Sequence, residues 1–512
     1  MQPARVRWIA LVGCALLGAC NVTTDLAPPS PDTPWQYQPS REAPVPSAPE
    51  TPAPPAPAGG GVRQFTVPEN TAVQAPSPAD IDPSHVYSLV ELIDIAQRRN
   101  AATRVAWEQA RQAAMSVGVA RAAYLPALTV SALAGYERVV FPFPSNLVAQ
   151  GFITADIEEV VPQLSVHYLL LDFGGRAAMA EEAGQHSFAA NVAFTAAHQQ
   201  LIFNVARAYF MVDGADAAVR AAQQALADAQ VVQQAAEALF SRGLGTVVDV
   251  QLARRGTAQA QYDLAQATAA QHDAMYTLLA VMDLPPTTVL RVADSSERPL
   301  PPRTGRTVDD ILREALRRRP DLLAEVAKLR ATDATIAAAR SALAPKVVLR
   351  GNVQGNISQM NVDNTGYLGV AQPQAAVLLG LEWPIYTGGL LENKVSIAQS
   401  EHEAAAAELK EKTNQALREV ALAYDQVETG LQQYDAALAL QTASEAAFHS
   451  ASDSYAAGVG TFTDTVSAQT GLAAARATVA RAHAQSLINA AALAFATGEL
   501  TSSIDVDATT PP

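Results

Sequence analysis

The chain has 512 residues, of which 49% are apolar, and a formal net charge of −15. That length can bury a large core and by itself fits about three domains, while an acidic balance with basic residues scattered along helices argues against a nucleic-acid partner. Alanine is abundant and aromatics make up only 6%, a composition suited to closely packed helices rather than a bulky globular core.

The first 19 residues read as an export signal. Arg5 and Arg7 precede an apolar run from Trp8 to Ala19 that is too short to span a bilayer and ends in small residues. Leu17-Gly18-Ala19-Cys20 has the form of a bacterial lipobox, which makes Cys20 the expected lipidated residue. Cys14 fits the same pattern but leaves a shorter apolar region before it. With Cys20 taken by lipid, no disulfide is available. Residues 20–83 are dominated by Pro, Ala, Ser and Gly and read as a disordered, partly polyproline tether.

Order is expected from Tyr87. Ser88 caps a helix over Leu89 to Arg99, and a second helix runs from Ala102 to Ala123. Strands are expected over Pro126 to Val140 and Val161 to Leu171. In the latter, Leu164, Val166, Tyr168 and Leu170 alternate with Gln163, Ser165 and His167, the period-2 pattern of a two-faced strand. Val347, Leu349, Val353 and Ile357 alternate in the same way with Lys346, Arg350, Asn352, Gln354 and Asn356. A half-buried sheet in a soluble protein has the same alternation; in an exported lipoprotein, apolar-out and polar-in strands of about ten residues fit a transmembrane barrel. Four strands cannot close one, because the smallest membrane barrels need about eight, so several chains must contribute. Residues 141–156 and 360–372 are expected as surface loops.

From Arg176 to Phe240 no proline interrupts a helical run. Leu201, Val205, Ala208, Val212, Ala215, Val219, Ala222, Leu226 and Ala229 form a heptad seam along it. A returning helix is expected from Val248 to Met282. After a linker the second half offers helices at Val308 to Arg318, Asp321 to Ala342, Leu390 to Tyr455 and Phe462 to Ala496.

The two halves repeat one another. Ala120 through Pro126 matches Ala339 through Pro345, Asp172-Phe173-Gly174-Gly175 matches Tyr386-Thr387-Gly388-Gly389, and Val205 through Tyr209 matches Val420 through Tyr424. The reading is a tandem duplication, with repeats over 84–297 and 298–500 and a short polar tail at 501–512. Each long helix ends in a related tip, Phe240-Ser241-Arg242-Gly243-Leu244-Gly245-Thr246-Val247-Val248-Asp249 and Tyr455-Ala456-Ala457-Gly458-Val459-Gly460-Thr461-Phe462-Thr463-Asp464. The glycines permit the positive φ of a tight reversal, and Thr and Asp suit the start of the next helix.

This layout resembles the TolC-like outer-membrane factors over roughly residues 86 to 500. The resemblance implies a mainly α fold with a membrane β-barrel. Tandem-duplicated helical hairpins would form a homotrimeric α-barrel, capped by a twelve-stranded barrel to which each chain gives four strands. It implies a passive, gated outlet in the outer membrane that works with a periplasmic adaptor and, through it, a resistance-nodulation-division pump. Asn21 after Cys20 fits sorting to the outer membrane. Residue by residue, Tyr455 matches a tyrosine that bonds an aspartate of the neighbouring hairpin, Asp249 matches that aspartate, and Asp464 matches a residue lining the constriction. Gly243-Leu244 and Gly458-Val459 match the adaptor's docking spots, where close approach asks for Gly. The family gate often has an arginine where this chain has Gly460, and its partner position is Val248, so a second latch is missing unless Arg242 supplies it.

No catalytic constellation is present. Asp172-Phe173-Gly174 spells a kinase tripeptide without its companion motifs, and His402-Glu403 lacks a zincin's second His. The eight histidines are dispersed, and a solvated His is the default reading for each. No cofactor is expected beyond the lipid on Cys20. A type I protein-secretion outlet of the same fold, and a non-channel coiled-coil scaffold needing no membrane strands, remain as alternatives.

Overall fold

The computed structural model describes residues 81–501 except 297, 304 and 364. The expected signal, the lipobox at Cys20, most of the tether and all but the first residue of the tail lie outside the described residues.

The described chain begins at the largest apolar core, the equator between the sheet and the hairpin tips, where Tyr87, Leu89, Leu92 and Ile93 pack with Ile202, Phe210, Leu278 and Met282. Strand β1 (Val86–Tyr87) pairs in parallel with β4 (Arg291–Val292). Helix α1 (Leu89–Arg99) starts on a capping box in which Ser88 and Glu91 satisfy each other's backbone donors. That pattern removes two orphan N–H groups at once. Asn100 then ends α1 and caps α2 (Ala101–Ala122), its Oδ1 accepting from the N–H groups of Ala102 and Thr103. In the second half α5 (Val308–Arg318) is capped by Thr307, and α6 (Pro320–Ser341) opens with proline at its first position, where the missing N–H costs nothing.

Strands β2 (Ala127–Pro142), β3 (Phe152–Leu171), β5 (Lys346–Val362) and β6 (Tyr367–Glu382) form one antiparallel sheet in the order β2-β3-β5-β6. The register carries one row from Val130 through Leu164 and Val353 to Ala375, and the neighbouring row from Ser131 through Gln163 and Gln354 to Gln374. Within the band the rows through Leu128, Val130 and Ala134 carry only apolar residues or glycine on all four strands, and the rows between them, such as Ser131 to Gln374, are more polar; toward the loops the same face turns polar at Glu158 and Asp156. On the apolar face Val130 is 81% exposed and Val377 77% exposed. The ten steps from Val347 to Ile357 span about 33 Å, which at barrel tilt becomes a band about 25 Å tall. Tyr136 and Tyr367 stand toward its loop end, and Tyr124, Trp383 and Tyr386 lie at the other. Among the described residues no helix is long and apolar enough to cross a membrane.

Both loops are shorter than the sequence suggested. β3 begins at Phe152 rather than Val161, and β6 begins at Tyr367, inside the stretch expected to be loop. Asp156, Glu158 and Glu159 make the start of β3 look soluble. They sit beyond the apolar band, and Asp156 accepts from the Tyr136 hydroxyl and pairs with Arg138 across the ladder.

Two helices of 67 residues, α3 (Gly175–Ser241) and α7 (Leu390–Ala456), each about 100 Å long, descend from the sheet, and α4 (Val247–Val281) and α8 (Phe462–Ala496) return along them. The strand-to-helix joints use Gly174 at φ +94° and Gly389 at φ +84°. The Asp172-Phe173-Gly174 tripeptide is one of these joints, with Asp172 buried and accepting from the backbone N–H of Arg176 at 2.6 Å. Along α3 the seam residues Leu201, Val205, Ala208, Val212, Val219 and Ala229 are buried. The helices lie side by side as α4-α3-α8-α7 toward the tips and α2-α3-α6-α7 toward the sheet. Neither layer closes on itself, and neither does the sheet.

His483 departs furthest from the solvated default, with His198 and His402 partly buried as well. His483 is buried, its ring beside Tyr434, with Nε2 donating to the Arg298 carbonyl at 3.0 Å. Its Ala-rich helix is covered by the linker between the halves, which no local pattern announces.

Candidate functional site at the hairpin tips

The two tips have one geometry. Gly243 and Gly458 both have φ +77°. The N–H groups of Leu244 and Gly245 donate to the Leu239 carbonyl, and those of Val459 and Gly460 to the Ser454 carbonyl. The left-handed residue lets the chain turn back onto carbonyls that a helix end leaves unpaired. The two glycines of each tip answer different demands. A Cβ on Gly243 or Gly458 would meet nothing within 4 Å, so there the demand within the chain is φ. On Gly245 it would come within 3.0 Å of the Phe240 backbone, and on Gly460 within 2.9 Å of Ser454, so close approach is required at these second glycines instead.

Thr246 and Thr461 cap the returning helices, each hydroxyl accepting from the backbone N–H of the Asp three residues on. Asp249 completes a capping box by accepting from the Thr246 N–H at 3.0 Å, and Asp464 accepts from the Thr461 hydroxyl at 2.6 Å. Within one chain both carboxylates therefore serve their own helix starts. Asp464 lies exposed and Asp249 half-buried. Leu244 and Val459 project from the extreme ends, 76% and 83% exposed.

Tyr455 turns the other way. Its ring is buried among Val232, Ala236, Ala253, Phe448 and Leu472, with the Phe462 ring edge-on at 5.6 Å. These residues come from both hairpins, so the two tips share one apolar core. The Tyr455 hydroxyl is buried there with no hydrogen-bond partner. Burial, and after it the nearby Asp249 carboxylate, raise its pKa above the usual phenol value. An unpaired buried hydroxyl costs about 1–3 kcal/mol. Thr465, missed in the sequence reading, lies buried under this tip and donates to the carbonyls of Ala451 and Thr461. Its position three residues after Phe462 on the buried side of α8 was the available signal. Arg242 caps the end of α3 and is exposed.

A family model described as outer membrane efflux protein matches residues 92–282 and 311–499. Among curated proteins, Protein CyaE of Bordetella pertussis is 28% identical over 464 residues, covering 88% of this chain and 94% of that one. Outer membrane protein OprJ of Pseudomonas aeruginosa is 26% identical over 378 residues, covering 72% and 75%. Of solved structures, the open state of the Neisseria gonorrhoeae MtrE outer membrane channel aligns with a TM-score of 0.65 at 24% identity, covering 81% of this chain and 90% of that one. The Campylobacter jejuni CmeC outer membrane channel aligns at 0.68 and 18% identity, covering 80% and 85%. The fold is shared with these channels, and the family match takes in both halves, each with two strands and a tip. The chain belongs to the outer membrane efflux protein family.

Proposed function

We propose that three copies of this chain close into a continuous duct, a twelve-stranded barrel in the outer membrane above a helical barrel in the periplasm. The family places the protein as the passive outer-membrane channel of a tripartite export system. The observation that carries the trimer is the four-stranded sheet with an apolar band across one face and two unpaired edges, β2 and β6. A lipid-facing sheet must close, because unpaired backbone groups in hydrocarbon cost several kcal/mol each.

Closure at the periplasmic end falls to the tips. The orphaned Tyr455 hydroxyl takes the Asp249 carboxylate of the neighbouring hairpin, and three such bonds hold an iris shut. The three Asp464 carboxylates line its opening and favour cations. With Gly460 and Val248 where the family has its second latch, the tip itself holds closed more weakly. Leu244 and Val459, carried on Gly243 and Gly458, are the apolar points on which a periplasmic adaptor seats, and the pump behind it is of the resistance-nodulation-division class. Relatives named as a pyoverdine export outer membrane protein in Pseudomonas putida and a probable outer membrane lipoprotein in Salmonella typhimurium support small-molecule efflux and a lipid on Cys20.

Planar-bilayer recording of the purified full-length protein tests the channel. A small cation-preferring conductance supports the reading. A protein that never conducts, and that leaves membranes once Cys20 is replaced by Ser, would instead be a periplasmic scaffold.

A further inference from the structure

We infer that Arg476 is a second, intrachain gate latch, about 20 Å above the tips, clamping the two hairpins of each protomer together. The inference rests on the gated-channel reading above. Arg476 lies on α8, 14 residues from its start, a rise of about 21 Å. Its Nη1 donates to Asp228 Oδ2 on α3 at 2.7 Å, and its Nε lies 3.7 Å from Glu445 Oε1 on α7. The three side chains are 20%, 16% and 38% exposed, so the pair to Asp228 is shielded from water and salt. Each carboxylate is also held by a glutamine of its own helix, Gln224 donating to Asp228 Oδ1 at 3.0 Å and Gln441 to Glu445 Oε1 at 3.0 Å.

The surroundings make this cation hard to replace. No Lys or Arg occurs in α3 between Arg220 and Ser241, nor anywhere in α7 after Arg418. Of the ion pairs among the described residues, Arg476 to Asp228 is the one that joins α3 to α8, the two helices through which the hairpins touch. The other ion pairs below the equator stay within one hairpin, as Arg254 to Glu237 does, or involve the linker, as Arg303 to Asp435 and Arg220 to Asp294 do. Any motion that slides the second hairpin past the first, as opening an iris requires, must break this pair. Removing the guanidinium leaves two like charges, Asp228 and Glu445, on either side of the seam with only their glutamines as partners, which replaces an attraction between the hairpins with a repulsion. Arg476 thus acts as a positioning residue for the gate, at a place where the weakened tip needs support.

The test is single-channel recording of the full-length protein in planar bilayers. Arg476→Gln should raise the open-state occupancy at least fivefold, Arg476→Lys should give an intermediate rise because an ammonium cannot fork between two carboxylates, and the exchanged pair Asp228→Arg with Arg476→Asp should restore closure. A merely structural role would lower trimer stability in Arg476→Gln and leave the open-state occupancy of the assembled channel unchanged. If Arg476→Gln gates as wild type while Tyr455→Phe opens the channel, the latch is refuted and the channel reading stands. If none of these proteins conducts, the channel reading fails and the latch with it. Should Arg476→Gln not assemble, the exchanged pair decides: assembly with closed gating supports the contact, and loss of either overturns it.

Discussion

Substituting neighbouring residues Val353 and Gln354 by arginine should have opposite consequences. Val353 lies in the row Val130, Leu164, Val353, Ala375, midway up the apolar band, and is 55% exposed on that face. Val353→Arg places a guanidinium at the depth of the acyl chains, at a cost of about 2–4 kcal/mol per chain, or about 6–12 kcal/mol for three. Gln354 points the other way, its Nε2 donating to Gln374 Oε1 at 2.8 Å. Gln354→Arg gives up that one neutral hydrogen bond in a wet interior, about 1 kcal/mol or less. Urea unfolding of the vesicle-inserted protein measures the difference, and Gln354→Arg should also lower the cation preference of the conductance. Equal loss of stability in both variants, or a larger loss for Gln354→Arg, would refute the assignment of lipid and lumen faces.

Tyr455→Phe keeps the ring in its core and removes only the hydroxyl. If that group bonds a neighbour's carboxylate, the variant loses about 1.5–3 kcal/mol per protomer from the closed state and conducts more; a more stable variant with unchanged gating would mean the hydroxyl has no partner in the assembly either. Gly458→Ala, at φ +77° with open space, should cost about 1–2 kcal/mol from backbone strain alone. Gly460→Ala should cost more than Gly458→Ala through its contact with Ser454, which thermal melts would rank. Asp213 is buried against the equatorial linker and accepts from the Ser295 N–H at 3.0 Å, with Asp294, Arg220, Tyr209 and Arg298 around it, and burial raises its pKa. An acid with a raised folded pKa binds its proton more tightly when folded, so its contribution to stability is present below the unfolded pKa and lost as pH rises through the folded one. Asp213→Asn should therefore melt higher than wild type at pH 7, with the advantage vanishing below about pH 4; a constant offset at both pH values would contradict this.

The helices were legible because their signals are local. Val308–Arg318 and Phe462–Ala496 have the ends their caps suggest, since Thr307 and Thr461 mark starts by side-chain chemistry alone. The strands were legible only where alternation was pure. Leu164 through Leu170 declared themselves, whereas Phe152 to Val160 did not, because beyond the apolar band the outer face turns polar and a strand there looks like a loop. The tips were readable as turns from Gly, Gly and Thr, but not which glycine serves φ and which serves space, a distinction set by carbonyls five or six residues back. Least legible were contacts between distant segments. The Arg476 to Asp228 pair joins residues 248 positions apart, and the burial of His483 depends on a linker with no regular structure.

The two bare edges of the sheet bear on how the protein comes to exist at all. Strands of 16 residues at β2 and β6 leave rows of amides that a lone chain cannot satisfy, so a solitary protomer is an unfinished fold and a target for wrong pairing. For a three-chain barrel the completed state varies with the cube of protomer concentration. Each tenfold dilution then weakens assembly by about 2.7 kcal/mol per trimer, two factors of about 1.4 kcal/mol. A lipid on Cys20 would confine the chains to one membrane surface and so raise their effective concentration before any strand pairs. The anchor would thus act during assembly, well before the first molecule is exported.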